Sequence, residues 1–125
     1  MNELIIKKFW KLFNLQEFDA AGKLMDSEAV VMFPNTREIF KGRDKYIFFN
    51  KRYQGCWSIS LEKIISKEEM VITVVKVESD EKFNSFYATS FFILKDNLIM
   101  EITEYWGDNG EPPKWRSDEA LSERY

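Results

Sequence analysis

The chain of 125 residues has the size of one domain, and with 45% hydrophobic residues it is not a disordered segment. Its net charge of −3 argues against nucleic acid as a partner, because no basic stripe is present to neutralise phosphates. Histidine is absent, which excludes histidine-based metal sites and His-dependent catalytic triads. We therefore expect neither a metal site nor a cofactor.

The cellular setting is expected to be the cytoplasm. Cys56 is the single cysteine, so an internal disulfide is excluded and a reducing compartment is favoured. The opening MNELIIKKFWKLF is apolar but broken by lysines, and no small-residue cleavage site follows it. This segment is expected to be neither a signal peptide nor a membrane span, so no membrane partner is expected.

The first half of the chain is predicted to hold three helices and a short pair of strands. Apolar residues predict a helix over 2–14, and a shorter helix follows over 17–25. The apolar run 29–34 is predicted as a strand that ends at Pro34, since proline cannot donate to a ladder, with 36–40 as its partner. Asp44 is predicted to cap a third helix that ends before Gly55. The positions at helical spacing in the first helix are Leu4, Ile5, Lys8, Phe9, Leu12 and Phe13.

The second half is predicted to be a meander of four long strands, over 57–65, 70–78, 86–94 and 98–106. Turns are expected at 67–69, at 79–84 and at Asp96-Asn97. Glycines and prolines over 107–113 predict a loop, and 109–125 is expected to be a charged tail outside a core of about 3–108. Helices at the front and a meander at the back indicate one α+β domain, in which a curved antiparallel sheet wraps around the N-terminal helices as a cone with an open mouth.

Glu104 is the most informative residue of the last predicted strand. Side chains alternate between the faces of a strand, so Glu104 is expected among apolar neighbours. A carboxyl group in an apolar pocket has a raised pKa and can transfer protons near neutral pH. Alternatively, Glu104 is a structural residue paired with a cation such as Arg52 or Arg116. The predicted neighbours on its face are Leu98, Met100, Ile102 and Trp106, while Ile99, Glu101, Thr103 and Tyr105 take the other face.

Aromatic residues make up 16% of the chain, more than a domain of this size needs for stability. Surplus rings commonly line a ligand cavity or an interface, although such a set can equally be plain core. We predict a cavity at the mouth of the cone that binds a small apolar molecule. The rings expected in its wall are Phe9, Phe13, Phe33, Trp57, Phe92 and Trp106.

The opposite, convex face of the sheet is predicted to be too apolar to remain in water. No further helix is available to cover it, so we expect a homodimer through this face. Partial cover by the tail 112–125 is the alternative. The residues expected on the convex face are Val71, Thr73, Val75, Val77, Tyr87, Thr89, Phe91, Ile93 and Ile99.

The order of elements and two segments, FPNTREIFKGRDKYIFFNKRY and NLIMEITEYWGDN, resemble the nuclear-transport-factor-2-like superfamily and, within it, the SnoaL-like polyketide cyclase group. The resemblance spans 3–106 and implies a cone-shaped, cystatin-like α+β roll. It also implies that Glu104 faces the cavity as an acid or base. The superfamily includes isomerases, cyclases, dehydratases, epoxide hydrolases and non-catalytic binding domains, so the fold does not decide the activity.

The resemblance further implies which reaction the chain does not perform. Phe9, Phe33 and Ser90 stand where the ketosteroid-isomerase branch has a tyrosine and two carboxylates, and none of these three can abstract a proton. Ile102 stands where some cyclases have a histidine. Ser90 and Ile102 are expected in the cavity wall. Three hypotheses remain: cofactor-free isomerisation, cyclisation or dehydration by Glu104, ligand binding without catalysis, and an interaction domain with a filled interior.

Overall fold

The structure of the protein is a computed structural model that describes residues 1–53, 55–80 and 84–125. Part of the predicted 79–84 turn therefore lies outside the described residues. The helices are α1 (Asn2–Asn14), α2 (Phe18–Gly22), α3 (Arg43–Arg52) and α4 (Lys114–Asp118). The strands are β1 (Met25–Phe33), β2 (Glu38–Lys41), β3 (Trp57–Lys67), β4 (Met70–Ser79), β5 (Ser85–Lys95) and β6 (Leu98–Asp108).

The six strands form one curved, unclosed sheet in the order β2-β1-β6-β5-β4-β3. All pairs are antiparallel except β1 with β6, which is parallel and was not predicted. The expected α+β fold, with a curved sheet around N-terminal helices, is confirmed. No helix in the described ranges is long and apolar enough to cross a membrane.

The core lies between the concave face of the sheet and the helices. Helix α1 buries Ile6, Phe9, Trp10 and Phe13, whose successive spacings of three, one and three residues place them on one helix face. Leu4 was predicted on that face but is exposed, because the buried stripe is rotated toward Ile6 and Trp10.

The edge strand β3 carries two polar contacts to α1. The Ile59 amide donates to Asn14 Oδ1 over 2.7 Å. At the other end of the helix, Ser66 Oγ donates to Glu3 Oε2 over 2.6 Å. The two contacts hold opposite ends of α1 against the same strand, and so fix how deeply the helix sits in the cone.

The side chains of β4 point to the opposite sheet faces from those predicted. Val71, Thr73, Val75 and Val77 point into the core, and Thr73 lies directly opposite buried Ser90 on β5. The Trp10 indole Nε1–H donates to Thr73 Oγ1 over 3.0 Å, which allows a hydroxyl to be buried there. Apolar residues occupy both faces of this strand, with Val71 and Val75 on one and Ile72 and Val74 on the other, so hydrophobic alternation could not choose between the faces.

A β-bulge in β6 shifts the alternation of side chains. Ile93 lies opposite Glu101 and Leu94 lies opposite Ile99, which leaves Met100 as the extra residue. Ile99, predicted on the convex face, is therefore wholly buried in the core. The shared face predicted for Leu98, Met100 and Ile102 is wrong for this reason, whereas Ile102, Glu104 and Trp106 lie beyond the bulge and share one face.

The last hairpin has the predicted turn, but the chain after it contains more regular structure than was predicted. Asp96 and Asn97 both have positive φ, 53° and 66°, as a two-residue hairpin turn requires. Strand β6 continues to Asp108, two residues further than predicted. The tail contains the short helix α4, which was not predicted and whose residues are all exposed.

Candidate ligand-binding cavity

A cavity of about 760 Å³ lies between the concave face of the sheet and the helices. Its rim includes exposed polar residues such as Gln16, Asp108 and Asn109. Ten of the residues that line it are aromatic. The rings that line it are Trp10, Phe13, Phe18, Phe33, Tyr46, Phe49, Tyr53, Trp57, Phe86 and Trp106.

The predicted site residues divide into two groups. Five of them line the cavity: Phe13, Phe33, Trp57, Glu104 and Trp106. The other four, Phe9, Ser90, Phe92 and Ile102, are wholly buried in the core and do not line it.

Packing depth explains the second group. The ring of Phe9 meets that of Phe92 edge-on, with 5.6 Å between centroids, so α1 fills the bottom of the cone. Ile102 lies opposite Phe92 on the neighbouring strand. The cavity therefore occupies only the part of the cone near its mouth, and is smaller than the sequence predicted.

Helix α3 contributes residues that were not in the predicted set of site residues. Tyr46, Phe49, Asn50 and Tyr53, the residue that follows the helix, all line the cavity. They are spaced by three, one and three residues, which places them on one side of a helix. This stripe was readable from the sequence, but the surface that α3 would face was not.

Trp106 is fixed by a side chain that continues the β1–β6 pairing. Asn35 Nδ2 donates to the Trp106 carbonyl over 2.9 Å, and the Trp106 amide donates to Asn35 Oδ1 over 3.2 Å. Pro34 ends β1 just before Asn35, so the asparagine amide takes the place of a strand backbone. The indole then meets Phe33 edge-on at 5.0 Å.

Glu104 lies on the cavity face of β6, directly opposite Ser90. Ser90 Oγ–H donates to Glu104 Oε1 over 3.0 Å. No salt bridge reaches Glu104 from any described residue. The suggested partners Arg52 and Arg116 instead lie near the rings of Phe48 and Trp115, so neither of these two arginines pairs with Glu104.

Burial raises the pKa of Glu104 from its ordinary 4.5 to about 7, and the Ser90 hydrogen bond opposes this increase only in part. Glu104 retains some accessible surface, because its side chain borders the cavity. Burial, followed by the negative charge of Glu104, raises the pKa of Tyr46 well above 10. At neutral pH the Tyr46 phenol therefore keeps its proton and can donate a hydrogen bond.

The arrangement offers a single carboxyl group that can both accept and return a proton. In the part of the chain that the structure describes, Asp108 is the other carboxylate that lines the cavity, and it is exposed at the rim. Among the described residues, no group of three or more Cys, Asp or Glu side chains could hold a metal ion. The chemistry of the site therefore centres on Glu104, with Tyr46 and Ser90 as polar neighbours.

No protein-family model matches the sequence, and no curated protein matches it, but solved structures do. A proposed ketosteroid isomerase from Kribbella flavida DSM 17836 superposes with a TM-score of 0.86 at 22% identity, covering 99% of this chain and 89% of that one. An NTF2-like protein of unknown function from Burkholderia xenovorans LB400 gives 0.82 at 20% identity, covering 94% and 91%. The chain has the nuclear-transport-factor-2-like (NTF2-like) fold.

A proposed SnoaL-like polyketide cyclase from Shewanella putrefaciens CN-32 has the same NTF2-like fold, with a TM-score of 0.72 at 12% identity over 84% of this chain and 88% of that one. The predicted resemblance is thus confirmed at the level of the fold. Because NTF2-like proteins with different proposed activities superpose on this chain, its activity must be argued from the cavity.

Proposed function

We propose that the protein binds a small, largely apolar molecule in the aromatic cavity and acts on it as a SnoaL-like, cofactor-free proton-transfer enzyme with Glu104 as acid or base. One observation carries the proposal: Glu104 borders an aromatic cavity without a cationic partner among the described residues. A structural glutamate would be expected to have such a partner.

The protonation behaviour of Glu104 suits this role. A catalytic acid or base works best when its pKa is near the working pH, and that of Glu104 is about 7. Isomerisation, cyclisation and dehydration each remove a proton from one atom of the substrate and deliver one to another. One carboxyl group can perform both transfers, while the Tyr46 phenol supplies a hydrogen bond to a substrate oxygen.

Binding without catalysis is the second candidate, and a specific observation favours it. No second carboxyl group lies deep in the cavity among the described residues, since Asp108 is at the rim. Glu104 would then only orient the ligand. An interaction domain with a filled interior is less consistent with a cavity of about 760 Å³.

The convex face of the sheet supports a homodimer, in a cytoplasmic setting consistent with the free Cys56. Tyr87 and Tyr105 are each nearly half exposed there, and Phe91 packs beside Tyr105. Val75, which was predicted on this face, is on the concave side and takes no part. The face also carries charged residues, because register places Lys76, Glu78 and Glu101 on it. Its uncharged residues by register include Met70, Ile72, Val74, Tyr87, Thr89, Phe91, Ile93, Thr103 and Tyr105.

The proposed activity can be tested in two steps. Native mass spectrometry of the protein after incubation with cell extract should reveal a bound small molecule, which names the substrate class. Wild type and Glu104→Gln are then compared for binding and turnover of that compound, with the exposed Glu62→Gln as the matched control. We expect Glu104→Gln to bind it and to lose at least about 100-fold in turnover. Full turnover by this variant would refute the catalytic role.

A further inference from the structure

The charged side chains that line the cavity are more often acidic than basic. The titratable groups that line it, among the described residues, are Tyr46, Lys51, Tyr53, Glu104 and Asp108. Lys51 is the one cation of this set, and its ammonium group already pairs with Asp19 over 2.6 Å. The Tyr46 phenol is uncharged at neutral pH, because its pKa is raised well above 10. An anionic ligand would therefore meet two carboxylates and no unpaired cation of this set.

The aromatic rings of the cavity wall also favour a positively charged ligand. The faces of aromatic rings carry a negative quadrupole that attracts cations, most strongly where water is excluded. Trp106 lies two residues beyond Glu104 on the same face of β6, and its ring meets that of Phe33 edge-on at 5.0 Å in the cavity wall. On the α3 side, the Tyr46 and Phe49 rings are nearly parallel, at an angle of 25°.

We infer that the ligand of this cavity carries a cationic nitrogen, an alkylated ammonium group on an apolar body, which binds among the aromatic rings beside the Glu104 carboxylate. The inference rests on the proposed function, because it names the ligand class of the same site. The ammonium group supplies the counterion that Glu104 lacks within the described chain. The apolar body occupies the remaining aromatic space, and Asp108 adds attraction at the rim.

Binding of this kind depends on pH, because only ionised Glu104 attracts the cation. With a pKa of about 7, Glu104 is mostly ionised at pH 8.5 and mostly protonated at pH 5.5. The affinity of a permanently charged ligand should therefore fall by up to about thirtyfold between these values, the limit being reached when only the ionised form binds it. An uncharged ligand of the same shape should show little change.

The test compares benzyltrimethylammonium with neopentylbenzene, in which carbon replaces the charged nitrogen. Calorimetric titration of wild type at pH 8.5 should show the ammonium compound binding at least about tenfold more tightly than its isostere. Glu104→Gln should reduce this preference to about twofold, and Glu62→Gln should preserve it. Far-UV circular dichroism checks that each variant is folded, and the pH series on wild type tests the inference without any substitution.

Three results would overturn the inference. They are equal binding of both probes, an ammonium affinity that does not change between pH 5.5 and 8.5, and binding of neither probe. Tight binding of neopentylbenzene alone would reject the cationic ligand while supporting an apolar ligand in the cavity. The two probes thus test only the cationic nature of the ligand. The proposed function is tested separately, by the compound that the protein binds from cell extract.

Discussion

Replacing Glu104 by glutamine should stabilise the protein at alkaline pH and leave its stability nearly unchanged in acid. Glutamine keeps the shape of the side chain and an oxygen that can accept the Ser90 hydrogen bond. It removes the negative charge, which has no salt-bridge partner in the described structure. The substitution therefore measures the free-energy cost of ionising a carboxyl group in this cavity.

The magnitude follows from the pKa of Glu104. The folded protein holds the proton up to about pH 7, whereas an ordinary glutamate loses it near 4.5. Between these values the folded state binds more protons than the unfolded state, so stability falls as the pH rises through this window. At about 1.4 kcal/mol for each pH unit between 4.5 and about 7, the cost above pH 7 is at most about 3.5 kcal/mol, less whatever cavity water recovers.

Urea denaturation of wild type, Glu104→Gln and the control Glu62→Gln at pH 4 and pH 8.5 checks this expectation. We expect the free energy of unfolding of Glu104→Gln to be about 2–3 kcal/mol higher than that of wild type at pH 8.5. At pH 4 the two free energies should agree within about 0.5 kcal/mol. The opposite result, a loss of about 3–5 kcal/mol at pH 8.5, would mean that a buried cation had lost its partner. That outcome would refute the account of Glu104.

Three further substitutions test other parts of the structure. Phe91→Asp places an unpaired charge in the proposed dimer interface at a cost of several kcal/mol, so sedimentation should change from dimer to monomer or aggregate. A wild type that is monomeric at micromolar concentration would contradict the dimer. Phe13→Trp should narrow the cavity and weaken ligand binding about tenfold or more in a fluorescence titration, and unchanged affinity would place the ligand elsewhere. Trp10→Phe removes the donor to Thr73 and should cost about 1–3 kcal/mol in a urea melt, whereas an unchanged melt would show that water replaces the indole.

Local patterns predicted the elements of the fold and the position of Glu104. Helix α1 has the predicted bounds, and the Asp96-Asn97 turn joins the strands as expected. Glu104 was assigned to the concave face by alternation, although the β6 bulge lies in the same strand. The assignment holds because the bulge at Met100 precedes it, and the residues from Glu101 onward alternate regularly.

Features that depend on packing between distant segments could not be predicted. Strand β4 is apolar on both faces, so only its pairing with β5 decides that Val75 is inside and Ile72 outside. The parallel pairing of β1 with β6 joins segments about 70 residues apart and has no local signal. The depth at which α1 packs places Phe9 in the core and Phe13 in the cavity wall. Because both residues are phenylalanines, their hydrophobicity could not predict this difference.

The pKa of the Glu104 carboxyl group tests the central claim most directly. Carbon-13 NMR of the glutamate side-chain carboxyls, with Glu104→Gln to assign the signal, follows its ionisation across pH 3–9. The account predicts a midpoint of about 7 in the free protein, because the carboxyl group borders an aromatic cavity and no described cation pairs with it. A midpoint near the ordinary 4.5 would show that water or a cation stabilises the charged form, and would contradict the account.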